Sequence, residues 1–149
     1  MELHLPYKLL FLACAASLLA GYLLPTFGQF IVPPYSGVGA IVLIVGGLAL
    51  GLWAKRTIVA HDSTLNPYGQ PTHLVTSGPF RFSRNPMYLS YVVIVLGCAV
   101  YTGVLAAFVA PTLYFLYLQY KVVLQEEQKL SDIFPTEYSA YSRTVRRWL

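Results

Sequence analysis

The chain has 149 residues, of which 56% are hydrophobic and 11% are charged, and its formal net charge is +4. A typical soluble domain carries about 25% charged residues, so the composition excludes an ordinary soluble protein and predicts an integral membrane protein. The basic residues belong to no nucleic-acid motif. We therefore expect them to face anionic lipid, and we expect no nucleic-acid partner.

Two long stretches without Asp, Glu, Lys or Arg predict four helices. The stretches run from Leu9 to Ala54 and from Asn85 to Tyr120. Each is interrupted near its middle, the first by residues 25–37 (PTFGQFIVPPYSG) and the second by the turn residues Thr102-Gly103. A spanning helix needs roughly 17–25 apolar residues, and a slightly short one is tolerated. The predicted helices lie near Tyr7–Leu24, Ser36–Ala54, Met87–Tyr101 and Val104–Tyr120.

The sequence thus predicts an all-α integral membrane protein with about four transmembrane helices, forming one membrane domain over residues 1–149. Residues 1–54 form an N-terminal helix pair, and residues 55–149 form the rest of that domain. The first helix resembles a secretory signal in its length. It carries no A-x-A cleavage pattern at its end, so we expect it to be retained.

Helix two is punctuated by five glycines, and helix four contains a proline. Small residues allow membrane helices to approach closely, and a proline inside a helix bends it. We expect these residues to leave space between the helices for a lipid-like molecule. They are Gly37, Gly39, Gly46, Gly47, Gly51 and Pro111.

The distribution of Lys and Arg predicts the orientation. Basic residues occur in the loop after helix two and again after helix four, whereas the other two turns contain none. The positive-inside rule then places both termini, and the polar segments beside them, in the cytoplasm.

The cysteines and histidines predict no metal site. Cys14 and Cys98 each lie in the middle of an apolar helix, where a small buried thiol is common. His4, His61 and His73 are scattered and form no HxxxH or HExxH pattern. We expect the protein to bind no metal.

The polar loop between helices two and three is a candidate for a cap over a site, and it ends in a cluster of possible ligand-binding residues. Thr76-Ser77-Gly78-Pro79 predicts a turn in which the glycine allows backbone to approach a ligand. Arg81, Arg84 and Asn85 then precede Pro86 at the predicted start of helix three, with Asn85 as its N-cap. A helix N-terminus favours a carboxylate or phosphate, although these residues also suit membrane anchoring.

Two adjacent carboxylates, Glu126 and Glu127, follow helix four. Since the stretch from Asn85 to Tyr120 enters and leaves the bilayer, we expect them on the same membrane face as Arg84. Ionised glutamates accept hydrogen bonds, and an amine or a ribose hydroxyl of a ligand could donate them. The two glutamates would also be ordinary residues of a solvated helical turn. Beyond them, apolar residues recur at near-helical spacing and predict an amphipathic tail on the membrane or over the site: Leu130, Ile133, Phe134, Tyr138, Tyr141 and Val145.

Three segments in this order resemble a family of membrane methyltransferases. They are LVTSGPFRFSRNPMYLS, EEQKL and FPTEYSAYSRTVRRWL, within residues 66–149. They are similar to LVTxGPYRxxRHPxYxG, EExxL and FGxEYxxY in the family that includes isoprenylcysteine carboxyl methyltransferases and phosphatidylethanolamine or phospholipid methyltransferases. The resemblance implies that residues 55–149 form a cofactor-binding module for S-adenosylmethionine and that the substrate is a membrane lipid or lipid-like molecule.

The resemblance also implies roles for individual residues. It assigns catalysis to Glu126, Glu127 and Arg84. It assigns cofactor binding to Gly78, Pro79, Arg81, Arg84, Asn85, Tyr88, Glu127 and Tyr138. We expect Glu127→Ala and Arg84→Ala to weaken cofactor binding in a protein that still folds.

Departures from the family pattern bear on the acceptor. Asn85 stands where the family has a histidine, and Val122 stands where the isoprenylcysteine enzymes have an arginine that helps to hold the substrate carboxylate. The absence of this arginine favours an amine, or another neutral or cationic acceptor, over a carboxylate. The missing arginine and histidine together favour the main alternative, a non-catalytic membrane protein that retains the fold and binds a lipid, a nucleotide-like ligand or a partner helix. A relative of membrane sterol reductases is a third alternative, although the sequence carries no nicotinamide fingerprint.

Overall fold

The computed structural model describes residues 5–25, 28, 35–61 and 73–149. These residues form helices and connecting turns and contain no β-strand. The longer helices are α1 (Leu5–Leu23), α2 (Tyr35–Ala60), α3 (Pro86–Thr102), α4 (Val109–Tyr117), α5 (Leu124–Ile133) and α6 (Pro135–Thr144). The shorter segments are 3₁₀ turns at Gly78–Arg81 and Leu105–Phe108 and a π-helical segment at Leu118–Val123.

Among the residues described, three helical stretches are long and apolar enough to cross a membrane: Pro6–Leu23, Tyr35–Ala60 and the continuous run Leu105–Ile133. Helix α3 is also apolar but has 17 residues, which gives it a length of about 26 Å. That length lies at the short end of the spanning range. The predicted all-α membrane fold is confirmed.

Helices α2 and α3 are in close contact because small residues line their interface. A Cβ atom added at Gly47 would lie 2.8 Å from Ile94 Cγ1, and one added at Gly97 would lie 2.7 Å from Ile44 Cγ1. At Gly51 the same addition would come 2.8 Å from the Ser90 hydroxyl oxygen. The prediction of close packing is therefore correct. The expected open space is filled by the partner helix at Gly47 and Gly51, whereas a Cβ atom at Gly37 or Gly46 would have no neighbouring atom within 4 Å.

Helix α1 packs against α3 and α4. Tyr91, Val95, Tyr114 and Leu118 form a buried cluster between these helices. The Tyr114 hydroxyl donates a 3.0 Å hydrogen bond to the Pro6 carbonyl oxygen. This bond ties the first turn of α1 to α4, and it satisfies a hydroxyl that would otherwise be buried without a partner.

The turn between α3 and the next helical run has the predicted position and chemistry. Gly103 follows α3 with φ of +67°, and its N–H bonds to the Val100 carbonyl oxygen at 3.0 Å. Glycine adopts this left-handed conformation without steric cost. Pro111, which the sequence places in the middle of helix four, is a buried residue in the first turn of α4 and follows a 3₁₀ turn; the bend at this proline stays a prediction.

The helical run that contains α4 continues well beyond the predicted end at Tyr120. It passes through the π-helical segment into α5 and ends at Ile133. At Phe134 the backbone leaves helical geometry, and Pro135 begins α6. The predicted amphipathic tail is therefore two helices with a break between them, because Pro135 has no N–H to continue the first.

Helix α2 extends six residues past its predicted end at Ala54, to Ala60. His61 follows it; its ring Nδ1 bonds to the Thr57 carbonyl oxygen at 2.8 Å, and its Nε2 bonds to the Ser77 hydroxyl at 3.1 Å. These bonds tie the end of α2 to the turn that starts at Ser77. Most of the polar loop predicted as a cap, residues 62–72, lies outside the described part of the chain.

Candidate functional site

The start of α3 presents polar groups toward the C-terminal part of the chain. Ser83 and Asn85 are buried, and Arg84 between them is 14% exposed. Asn85 occupies the N-cap position, but its side chain does not cap the helix. Its amide nitrogen donates instead to Glu127 Oε1 at 3.4 Å and to the Arg147 carbonyl oxygen at 3.1 Å. The predicted capping role of Asn85 is replaced by contacts with distant parts of the sequence.

Glu127 is the centre of this site. Its side chain is 10% exposed. Arg147 donates from Nε and Nη2 to Oε2 at 3.0 and 2.8 Å. On the other oxygen, Arg84 Nη2 forms an ion pair with Oε1 at 3.6 Å. We call the group Arg84, Asn85, Glu127, Tyr138 and Arg147 the charged clasp.

Tyr138 of α6 closes the clasp beside Arg84. Arg84 Nη1 donates to the Tyr138 hydroxyl at 3.1 Å, and the guanidinium carbon lies 5.9 Å from the ring centre. Burial raises the pKa of Tyr138, so its hydroxyl stays protonated and neutral. Arg84 Nε is buried and has no hydrogen-bond partner among the described residues. One donor of the clasp is therefore unsatisfied.

Glu126 and Glu127 have different hydrogen-bond partners. The Tyr88 hydroxyl donates a 2.6 Å hydrogen bond to Glu126 Oε1. Tyr88 in turn lies edge-on to Tyr91, with ring centres 6.0 Å apart. The two adjacent glutamates thus form two distinct polar ends, one ion-paired in the clasp and one bonded to a neutral phenol.

Residues 145–149, which we call the C-terminal strap, pass over the start of α3. The Arg146 carbonyl oxygen accepts from the Arg84 backbone N–H at 3.0 Å, and the Arg147 carbonyl oxygen accepts from the Ser83 hydroxyl at 3.3 Å. The Trp148 indole N–H donates to Gln119 Oε1 at 2.7 Å. The strap is therefore anchored at both its beginning and its end.

Sequence reasoning did not assign a role to Arg147 or Ser83. The signal for Arg147 was present, since TVRRWL belongs to the tail segment of the resemblance. The strap leaves helical geometry at Val145. Helical periodicity in the sequence therefore does not indicate where its side chains lie. The contact between Arg147 and Glu127 could be found only from the fold.

The structure places the turn residues Gly78, Pro79 and Arg81 against α2 and α6. Gly78 has φ of +58°, and a Cβ atom there would lie 2.7 Å from the Thr57 hydroxyl oxygen on α2. This position therefore requires glycine because of its backbone conformation and its contact with α2. Pro79 is buried, and Arg81 is exposed. The neighbouring Phe80 carbonyl accepts from the Tyr141 hydroxyl at 2.7 Å. Their assignment to cofactor binding stays a prediction.

A comparison with protein-family models identifies the chain. The model described as phospholipid methyltransferase matches residues 35–137, which is more than half of the sequence. The chain belongs to the phospholipid methyltransferase family. No curated protein and no solved structure matches it. The predicted resemblance to the membrane methyltransferases is confirmed.

Membership of the phospholipid methyltransferase family gives the clasp its context. It implies a methyltransferase activity in general and a membrane setting, in agreement with the apolar helices. The matched region contains the start of α3, both glutamates and the first turn of α6, whereas Tyr138 and the C-terminal strap follow it. Within the described ranges, no three His, Cys, Asp or Glu side chains are grouped as a metal ion requires.

Proposed function

We propose that the protein is an S-adenosylmethionine-dependent methyltransferase that acts on a lipid or another amphiphilic acceptor in the membrane. One observation carries the proposal: Arg84 and Asn85 at the start of α3 meet Glu127 from the far end of the helical hairpin. Segments about 40 residues apart in the sequence thereby form one charged site at the ends of apolar helices. Family membership supports a methyl-transfer reaction at such a site.

The residues of the clasp fit the amino-acid portion of the proposed donor. The donor carries an ammonium and a carboxylate, and the clasp contains side chains of opposite charge to each. The orphaned Nε–H of Arg84 is a buried donor that a ligand oxygen would satisfy. S-adenosylmethionine would supply a methyl group activated on a sulfonium, which requires alignment with the acceptor and little covalent assistance.

Glu126 is the residue proposed to handle the proton of the acceptor. An ammonium must lose a proton before its nitrogen can form a bond to a methyl group, and a carboxylate can accept that proton. The 2.6 Å bond from Tyr88 fixes Oε1 of Glu126 and so orients its carboxylate. In the complete reaction the sulfur–methyl bond breaks, the nitrogen–methyl bond forms, and the proton passes to Glu126.

Val122 supports an amine as the acceptor. It packs against the buried cluster of Tyr91, Val95, Tyr114 and Leu118 and brings no positive charge to the site. A carboxylate acceptor would need a cation to hold it. An ammonium group needs an anion, which Glu126 provides.

Lateral access from the bilayer is the route proposed for the acceptor. Many large apolar side chains of the described helices are exposed, including Leu113 and Leu116 on α4 and Tyr120 on the π-helical segment. These surfaces suit acyl chains, whereas the clasp at the helix ends suits a polar donor from the aqueous side.

One experiment tests both the donor and the acceptor. Purified protein is incubated with S-adenosylmethionine labelled in its methyl group and with a total lipid extract. We expect base-stable label in the lipid fraction, attached to nitrogen. Label recovered as a base-labile methyl ester would contradict the amine assignment, and label found only in water-soluble products would contradict lateral access.

The saturation of Glu127 by several donors favours one second candidate, a non-catalytic protein that uses the clasp only to hold its tail. Calorimetry with S-adenosylhomocysteine and detergent-purified protein separates the two functions. A catalytic protein binds this product, whereas a clasp that serves only the fold does not. Absence of binding together with absence of label would support the second candidate.

A further inference from the structure

The C-terminal strap holds the Arg147 side chain on a fixed backbone. The carbonyl oxygen of Arg147 accepts hydrogen bonds from Ser83 and Asn85, and the next residue, Trp148, bonds to Gln119 and packs on Phe115 with ring centres 5.0 Å apart. These contacts fix the main chain on both sides of the Arg147 side chain. The guanidinium can therefore change partners while the strap stays in place.

Arg147 is the accessible member of the clasp. Its side chain is 33% exposed, against 10% for Glu127 and 14% for Arg84. Two of its N–H groups converge on a single oxygen, Glu127 Oε2, so the pair lacks the two parallel bonds of a fork-to-fork arrangement. A polar ligand that approaches from water meets Arg147 before it meets the rest of the clasp.

The pair formed by Arg147 and Glu127 matches the charges of an α-amino acid. If an ammonium takes the place of Arg147 on Glu127, the released guanidinium can bind the carboxylate of the same ligand. Every charge is then paired again, which avoids the cost of a buried unpaired charge. A planar guanidinium also suits a carboxylate because it can donate two parallel bonds.

We propose that Arg147 is a further cofactor-binding residue, which leaves Glu127 and binds the carboxylate of the methyl donor. This inference rests on the proposed function, since it requires S-adenosylmethionine as the donor. Arg84 is less suited to this role, because its Nη1 is held by Tyr138 and its guanidinium is more buried. Arg84 keeps the α3 side of the site in place.

The test compares two inert ligands that differ only in the carboxylate. S-adenosylhomocysteine has an ammonium and a carboxylate, whereas its decarboxylated counterpart, S-adenosyl-3-thiopropylamine, keeps the ammonium alone. Calorimetry measures the Kd of each for wild-type protein and for Arg147→Gln, without acceptor lipid. Any effect of freeing Glu127 acts on both ligands alike and cancels in the ratio of the two Kd values.

We expect wild-type protein to prefer the carboxylate-bearing ligand by about tenfold or more, the size expected for charged hydrogen bonds. Arg147→Gln should reduce this preference to about twofold or less, by the same comparison. Arg143→Gln removes an equal charge from an exposed position on α6 and should leave the ratio unchanged. An unchanged ratio in Arg147→Gln overturns the inference.

Arg147→Lys keeps the test valid if Arg147→Gln does not fold. Lysine retains the charge without the planar fork, so we expect an intermediate preference. A preference equal to that of wild type in the lysine variant would contradict recognition by the guanidinium. Failure of wild-type protein to bind S-adenosylhomocysteine would refute the proposed function itself, which is a different outcome from an unchanged ratio.

Discussion

Single residues of the clasp hold distant segments of the fold together and are also the residues proposed to bind the methyl donor. Glu127 was predicted from sequence as a cofactor ligand, and the structure gives it Arg84, Asn85 and Arg147 as partners. Its neighbour Glu126 instead accepts a hydrogen bond from Tyr88. The EE dipeptide was visible in the sequence, but the difference between its two members depends on which partners the fold brings to each side chain.

Glu127→Ala should destabilise the protein, contrary to the expectation from sequence that the fold would be unaffected. Removing one partner of a buried ion pair costs about 3–5 kcal/mol, because Arg84 and Arg147 lose their common acceptor. For a chain of this size, that cost corresponds to about 6–20 °C in Tm. Thermal unfolding in detergent measures the change, and Glu137→Ala, at an exposed position on α6, is the control. An unchanged Tm with lost binding of S-adenosylhomocysteine would assign Glu127 to the ligand alone.

Glu126→Gln should separate catalysis from binding. A glutamine can still accept the hydrogen bond of Tyr88, so we expect Tm and the affinity for S-adenosylhomocysteine to stay near those of wild type. It cannot take a proton, and we expect methyl transfer to lipid to fall about 10²–10⁴-fold. Initial rates of label incorporation measure this, with Glu137→Gln as the matched variant. A rate equal to that of wild type would remove the proton-accepting role from Glu126.

At the scale of elements, the interface between α2 and α3 and the π-helical segment decide where the site lies. The glycines of α2 were recognised as packing residues, but which of them face α3 depends on the rotation of the helix in the bundle. The π-helical segment was not predicted. One extra residue in a helical turn rotates all later side chains by about 100° around the helix axis, relative to an unbroken α-helix. The π-helical segment therefore sets the direction in which α5 presents Glu127.

Gly47→Ala and Gly46→Ala form a matched pair that tests this interface. The added methyl at position 47 would meet Ile94 Cγ1 at 2.8 Å and the Ser90 carbonyl oxygen at 3.0 Å, whereas at position 46 nothing lies within 4 Å. We expect a loss of about 1–3 kcal/mol for the first and a gain of up to about 1 kcal/mol for the second, from helix propensity. Chemical unfolding in mixed micelles measures both. Equal stabilities would contradict the packing of α2 on α3.

At the scale of the whole molecule, the proposed site requires that the start of α3 and the end of α5 lie on the same face of the membrane. The start of α3 and the end of the run through α5 meet in the clasp, so both ends of the hairpin between them lie on the same side of the molecule. The orientation of this face and the organisation of residues 1–149 as one domain remain predictions from sequence.

Reporter fusions test the orientation. Fusions after Gly28, Gln70, Thr102 and Leu149 should read outside, inside, outside and inside, because the basic residues follow α2 and the run through α5. A protease-protection assay on the same fusions is an independent check. Any other alternation would separate the donor site from the cytoplasm and contradict the proposed supply of S-adenosylmethionine from that side.

The sequence by itself determined the membrane setting, the helical class, the family resemblance and the two halves of the site. These properties follow from hydrophobic runs, from Gly103 and Pro86 at helix ends, and from motifs with fixed spacing, all of which are local in the chain. Only the tertiary structure decided that Asn85 bonds to Glu127 instead of capping α3, that Pro111 lies in the first turn of α4, and that Arg147 reaches Glu127 from the strap. Each of these depends on the rotation and contact of segments far apart in sequence, which the local pattern does not specify.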